Sequence, residues 1–166
     1  CEYIICLGHL GIDAGSTGNR SIDLLEKVDG IDVFIDGHSH STLEDVKAAA
    51  GGTGKVGDTL VTSTGTKLES VGVVTIDADG TITTATTPVA DLTATDADVA
   101  ARAAKIQAEI DKEYGTVFAK TEVALNGEKE PGNRTEETNL GDLICDALVW
   151  GAEREGTEVD AAVTNG

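Results

Sequence analysis

The stretch "IDVFIDGHSH", residues 31–40, runs from an apolar segment straight into a glycine and two histidines two positions apart. What it means depends on the segment before it. "EYIICLGHLG", residues 2–11, is another short apolar run, and it too ends in a glycine and a histidine, Gly8-His9. Such near-continuous runs are the pattern of strands buried on both faces. Between them lie a Gly/Ser/Thr/Asn loop and Ser21, a suitable N-cap. Ile22, Leu25 and Val28 then share one helical face, and Asp29-Gly30 supplies a stop signal. The order is β-α-β, for which a right-handed crossover and parallel strands are expected. In open α/β sheets, ligands gather outside the carboxyl ends of the strands. That geometry delivers His9, His38 and His40, all the histidines of the chain, to one edge.

Neutral imidazole is a common ligand of zinc and other transition metals. An H-x-H pair alone is weak evidence, because two solvated histidines in a loop are also common. Strand-end placement, with His9 arriving from a neighbouring strand, strengthens the metal reading. The spacing suits two ions better than one. Residues i and i+2 of an extended segment share a face but stand about 6 to 7 Å apart, whereas paired catalytic metals lie about 3.5–4 Å apart and could each take one histidine. A dinuclear site also needs a bridging carboxylate. Asp13 and Asp36 are nearby, but Asp36 is equally suited to capping the turn before Gly37, and neither is assigned as a ligand.

Composition narrows the function classes. The formal net charge of −18 argues against a binder of nucleic-acid phosphates. It leaves room for a small phosphate substrate, because divalent cations reverse the local field of an acidic site. Hydrophobic residues make up 40% of the chain but aromatics only 3%, so aliphatic and alanine packing must build the core. Cys1, Cys6 and Cys145 are odd in number and lack C-x-x-C spacing, so buried thiols are expected rather than a disulfide framework or a thiolate zinc site. No apolar run approaches membrane-spanning length. The chain opens inside an apparent strand and closes at the turn of another, which leads us to expect a segment of a longer protein.

Downstream, residues 41–58 read as loop, with glycine too frequent for a firm helix. "TLVTSTG", "ESVGVVTID" and "GTITTATT" read as an antiparallel section with Asp79-Gly80 as a hairpin turn. Thr95 and Asp98 resemble a capping box, and Val99, Ala103, Ile106 and Ile110 continue at helical spacing, so a long connecting helix is expected over about 96–114. "KTEVAL" reads as a strand, Asn139 as the cap of a helix with Leu140, Leu143, Ile144 and Ala147 on one stripe, and "EVDAAVTNG" as a strand with a tight turn.

"LGHLG", "VDGIDVFIDGHSHS", "NRTEETNLGDLICDALVWGA" and "DAAVTNG", taken in this order and approximate spacing, resemble the 5'-nucleotidase family of calcineurin-like metallophosphatases across nearly the whole chain. The resemblance implies an α/β protein. Residues 1–94 would be the C-terminal part of a four-layer αββα metallophosphatase domain, 95–119 an interdomain helix and linker, and 120–166 the start of an α/β nucleotide-recognition domain. It implies two divalent metal ions, Zn or Mn, with His9 and His38 on one and His40 on the other. Arg134 of "RTEE" and Asn165 of "TNG" would bind the nucleotide substrate. On the residues alone, Arg134 reads as a surface salt bridge to Glu136 or Glu137. A secreted, periplasmic or cell-surface location is also implied.

The sequence departs from the family pattern in ways that matter. In the family pattern the D-x-H, G-D and G-N-H-[DE] motifs, which carry the bridging aspartate, the other ligands and the catalytic histidine, lie upstream of these segments, and no counterpart precedes "LGHLG" here. The N-G-G-x-x-R loop stops after Gly166, and "TSTGTKLES" only loosely matches a Q-x-G stretch. The segment is therefore expected to be inactive alone. Two other readings compete. One is a metallohydrolase of the amidohydrolase kind, although an antiparallel section rather than further β-α units is expected to follow H-x-H here. The other is a non-catalytic surface domain of the same fold.

Overall fold

The computed structural model describes residues 1–165, and the chain is mixed α/β. It divides into two compact units, Cys1–Ala97 and Asp98–Gly166.

The first unit carries the buried core. Strands β1 (Ile5–Leu7) and β2 (Val33–Ile35) are parallel, with helix α1 (Ser21–Leu25) between them in sequence. Helix α2 (Leu43–Ala49) follows, then the short strands β3 (Lys55–Val56) and β4 (Thr59–Thr62). Strand order in the sheet is β1-β2-β4-β3, with β4 parallel to β2 and antiparallel to β3. Strands β5 (Ser70–Ile76) and β6 (Ile82–Pro88) form a separate antiparallel hairpin. Asp77 donates its N–H to the Thr81 carbonyl at 2.9 Å, and Asp79 Oδ1 accepts the Thr81 N–H at 2.9 Å. Gly80 takes φ +86°, the left-handed conformation such a turn needs. Leu25, Phe34, Val46 and Val61 are the centre of the core, with Cys6, Ile12, Ile31 and Val56 packed against them.

Several expectations are corrected. Residues 41–58 are not a loop, because Thr42 and Asp45 form a capping box that starts α2. Thr42 Oγ1 accepts the Asp45 N–H at 3.2 Å, and Asp45 Oδ2 accepts the Thr42 N–H at 2.8 Å. Leu43 and Val46 then turn inward, and the glycines lie beyond the helix. Because α2 returns the chain across the sheet, "TLVT" joins β2 in parallel instead of opening an antiparallel section. β1 lies at the sheet edge, and its faces are not both buried. Ile5 and Leu7 are 52% and 78% exposed. Ser21 is not the N-cap of α1. It is the first helical residue, buried, with its N–H and Oγ both directed to the Gly11 carbonyl at 3.0 and 3.2 Å. Arg20 occupies the cap position, where its side chain and backbone hold Asp23.

The second unit contains α4 (Asn139–Arg154) and all but the first residue of α3 (Ala97–Tyr114), joined by extended chain and turns. Neither helix is long and apolar enough to cross a membrane. Among the described residues, neither "KTEVAL" nor "EVDAAVTN" pairs as a strand. At the end of the first, a side chain takes the Ala124 carbonyl and the Asn126 amide. Asn139 Oδ1 accepts the Asn126 N–H at 2.8 Å, and Asn139 Nδ2 donates to the Ala124 carbonyl at 3.0 Å. The cap of α4 is accordingly Thr138, whose Oγ1 accepts the Gly141 N–H at 3.1 Å. The thiols are not buried as expected. Cys1 is exposed, and Cys6 and Cys145 are half-buried, all three free. Cys6 stays accessible because it lies on the edge strand, and Cys145 because nothing apolar is fully buried on α4.

Candidate functional site

Two loops leave the carboxyl ends of β1 and β2 side by side. The first carries His9 and the second carries His38 and His40. β1 is kept in step with β2 to its end, where the Gly8 N–H reaches the Ile35 carbonyl at 2.9 Å. Gly8 has a steric reason to be glycine. A Cβ there would stand 2.2 Å from Cζ of Phe34, whose ring is only 1% exposed. The core aromatic thus passes directly beneath the backbone that presents His9. Gly37 is similar, since a Cβ would stand 3.0 Å from His9 Nδ1. The missing side chain leaves room for the imidazole.

Asp36 binds the two loops together. Its Oδ1 accepts the N–H groups of Gly37 at 2.8 Å, Leu10 at 3.0 Å and Gly11 at 3.1 Å. Ser39 adds a parallel tie. Its Oγ accepts the Ile12 N–H at 3.2 Å and shares a 2.7 Å hydrogen bond with Ser41 Oγ. Asp36 Oδ2 is buried and has no hydrogen-bond partner among the described residues. Asp13 precedes a short 3-10 turn, Ala14–Ser16, and its side chain is exposed.

The H-x-H segment is not extended. His38 and His40 have φ of +74° and +55°, and the Ser39 N–H folds back to the Gly37 carbonyl at 3.0 Å. Left-handed backbone at two non-glycine residues is uncommon, though histidine tolerates it better than most. The expected common face at strand spacing is therefore replaced by a tight turn. His9 and His38 meet edge to face, with ring centroids 5.1 Å apart and planes inclined by 74°. All three histidines are exposed, and among the described residues His40 makes no such ring contact.

The pair can be tested against the metal it is expected to hold. Two imidazoles on one tetrahedral ion, at metal–nitrogen distances of about 2.0–2.1 Å, have centroids roughly 5 Å apart. The observed separation meets that requirement, although ordinary edge-to-face ring pairs span a range of about 4.5–7 Å that includes it. Among the described residues, no three or more His, Cys, Asp or Glu side chains are grouped so as to hold an ion. Among the described residues His9 and His38 are thus a pair of imidazoles at a spacing compatible with one ion, with no third such side chain grouped with them.

The second unit offers a separate cleft of about 160 Å³ at the start of α4. Asn133, Glu136, Thr138, Asp142, Cys145 and Asn165 are among its lining residues. Two of these lining residues are joined directly, Thr138 donating to Asn133 Oδ1. Of the two expected substrate residues, Asn165 lines this cleft and Arg134 does not. Arg134 is exposed and follows the turn at Lys129–Asn133, with its N–H on the Lys129 carbonyl at 3.1 Å.

Asp36 and Ser39 were within reach of the sequence as an Asp-Gly before H-S-H. Their cross-loop partners, 25 to 27 positions away, were not. The contact of Phe34 with Gly8 left no local signal at all.

Comparison with known proteins adds one relationship. The chain is 28% identical over 170 residues to the "Trifunctional nucleotide phosphoesterase protein YfkN" of Bacillus subtilis, a match covering 98% of this chain and 11% of that protein. The chain is a distant relative of that phosphoesterase. It spans about a tenth of the relative's length. No family model matches the chain, and no solved structure matches it.

Proposed function

We propose that this chain is part of a metal-dependent phosphoesterase acting on nucleotides, of the 5'-nucleotidase kind. The observation that carries the reading is the meeting of His9 and His38 beyond parallel strand ends, in a chain related along 98% of its length to a nucleotide phosphoesterase. Residues 1–94 would be the C-terminal part of a metallophosphatase domain, 95–119 the connection, and 120–166 the start of the nucleotide-recognition domain.

In this reading His9 and His38 hold one divalent ion, Zn or Mn, and His40 contributes to a second. When bound, such ions supply Lewis-acid stabilisation of the charge on a transferring phosphoryl group. Further ligands come from sequence outside this chain, since His9 and His38 make only two donors where a stable catalytic site takes three or four. Asp36 keeps the two histidine loops in register. Arg134 and Asn165 bind the nucleotide, a guanidinium having the fork of donors that suits an anionic group. A secreted, periplasmic or cell-surface location is part of the same proposal and rests on the sequence resemblance.

Calorimetric titration of the chain with Zn²⁺ and Mn²⁺, together with phosphate release from AMP, tests the reading. Weak metal binding that is lost in His38→Ala, and no turnover by the chain alone, are expected. In the protein that contains this chain, His38→Ala should abolish metal-dependent phosphate release. Retention of full activity there would remove the assignment.

A further inference from the structure

We infer that Asp36 is the positioning residue of the histidine pair, acting through backbone N–H groups on both loops and, among the described residues, hydrogen-bonded to neither imidazole. This deepens the proposed function and rests on His9 and His38 being its ligands. One carboxylate oxygen, Oδ1, receives three N–H groups, two from the His9 loop (Leu10, Gly11) and one from the His38 loop (Gly37). Leu10 directly follows His9, and Gly37 directly precedes His38. Each histidine is therefore one residue from an amide held by the same atom.

The alternative anchors are weaker. The β1–β2 ladder ends at Leu7↔Ile35, and beyond it, among the described residues and apart from Asp36, the hydrogen bonds that cross between the loops are those from the Gly8 N–H to the Ile35 carbonyl and from the Ile12 N–H to Ser39 Oγ. The His38 loop, with φ of +74° and +55° at His38 and His40, is strained and does not select its conformation by local preference. A carboxylate accepting several amide N–H groups makes charge-assisted bonds, stronger than those to a neutral acceptor. Asp36 is itself anchored from the other side, with its N–H on the Thr62 carbonyl at 2.9 Å. The chain of support runs β4, Asp36, both loops, both rings. Partners that hydrogen-bond the ring of a metal-ligating histidine commonly change affinity by about 10- to 100-fold when removed, and Asp36 reaches the same end, ring orientation, through the backbone.

The test is read on the metal-free chain by NMR. In the wild type, trans-hydrogen-bond couplings should join the Leu10, Gly11 and Gly37 amides to the Asp36 carboxylate carbon, and the His9 and His38 ring protons should show a mutual NOE. Asp36→Ala should lose the ring NOE while Val46 and Val61 methyl shifts stay in place. Asp36→Asn keeps one side-chain oxygen for the three N–H groups and should retain the NOE. Zn²⁺ affinity should fall by about 10- to 100-fold in Asp36→Ala and recover largely in Asp36→Asn. An unchanged ring NOE in Asp36→Ala overturns the inference. So does absence of the couplings in the wild type, which decides the matter even if Asp36→Ala does not fold. Failure of the functional reading looks different: the couplings and NOE behave as stated, but Zn²⁺ does not bind.

Discussion

At the scale of single residues, the site is arranged by side chains that are absent as much as by those present. Gly8 lets the Phe34 ring lie against the backbone of the His9 loop, and Gly37 leaves space for His9 itself. A methyl group at Gly8 would overlap Cζ and Cε1 of Phe34, at 2.2 and 2.4 Å, and a core ring has nowhere to retreat. Gly8→Ala should therefore destabilise the first unit by about 1–3 kcal/mol or more. Urea denaturation followed by circular dichroism should show a lower midpoint than the wild type, and an equal midpoint would place Phe34 elsewhere. The Gly8-His9 pair was legible as the end of a strand. Why glycine precedes the histidine was not, because Phe34 approaches it from 26 positions away.

At the scale of elements, short helices hold the loops in place through their first turns. α1 has five residues and α2 seven, too few to be stable by propensity, so capping and packing hold them. Thr42→Ala removes the acceptor for the Asp45 N–H and should cost about 1 kcal/mol, seen as a lower Tm. The start of α1 is tied by charge. Arg20 grips Asp23 through Nε and Nη2 at 2.9 and 2.8 Å, and the Arg20 and Gly18 amides also donate to this carboxylate. The Arg20 side-chain bonds, then these backbone N–H groups, hold the Asp23 carboxyl well below the usual carboxylate range. A group with a depressed folded pKa stabilises at pH above its unfolded value, about 3.9 for Asp, and loses that contribution as pH falls through the folded one. The Tm of the wild type should thus exceed that of Asp23→Asn near neutral pH, and the gap should close as pH falls well below about 4. A gap that stays constant into strong acid would show that the Asp23 charge plays no part. The Thr42-Leu-Glu-Asp45 box was readable from the sequence but was outweighed by the glycines after it.

At the scale of the whole molecule, burial is uneven. All fully buried apolar side chains among the described residues lie between Ile22 and Val61, in the first unit. In the second unit, Val99, Ile106 and Ile110 on α3 and Leu143, Ile144, Leu148 and Trp150 on α4 are exposed. Local stability follows buried apolar contact, so amides of α4 should exchange with solvent much faster than those of β2 and β4. The single tryptophan gives an independent reading. Trp150 is 59% exposed, with the Arg154 guanidinium 4.7 Å from its ring, and its fluorescence should be readily quenched by acrylamide in the folded chain. Slow α4 exchange and a shielded tryptophan would contradict this distribution of burial.

The parallel β1-α1-β2 unit followed from the sequence alone, because two apolar runs separated by a capped helical stripe have few other ways to pair. The same pattern brought three histidines to one strand-end region. The Ala97–Tyr114 helix and the Asp79-Gly80 hairpin also came from local periodicity and turn chemistry. Tertiary structure decided which histidines meet. His9 and His38 touch and His40 does not, because left-handed backbone at both residues of H-x-H replaces extended geometry, and no neighbour in sequence dictates that. It also decided that β1 is an edge, that Asn139 takes the Ala124 carbonyl and the Asn126 N–H, and that Asp36 serves two loops at once. Each of these depends on contacts between residues far apart in the chain, where periodicity carries no information and only the packed structure supplies the partner.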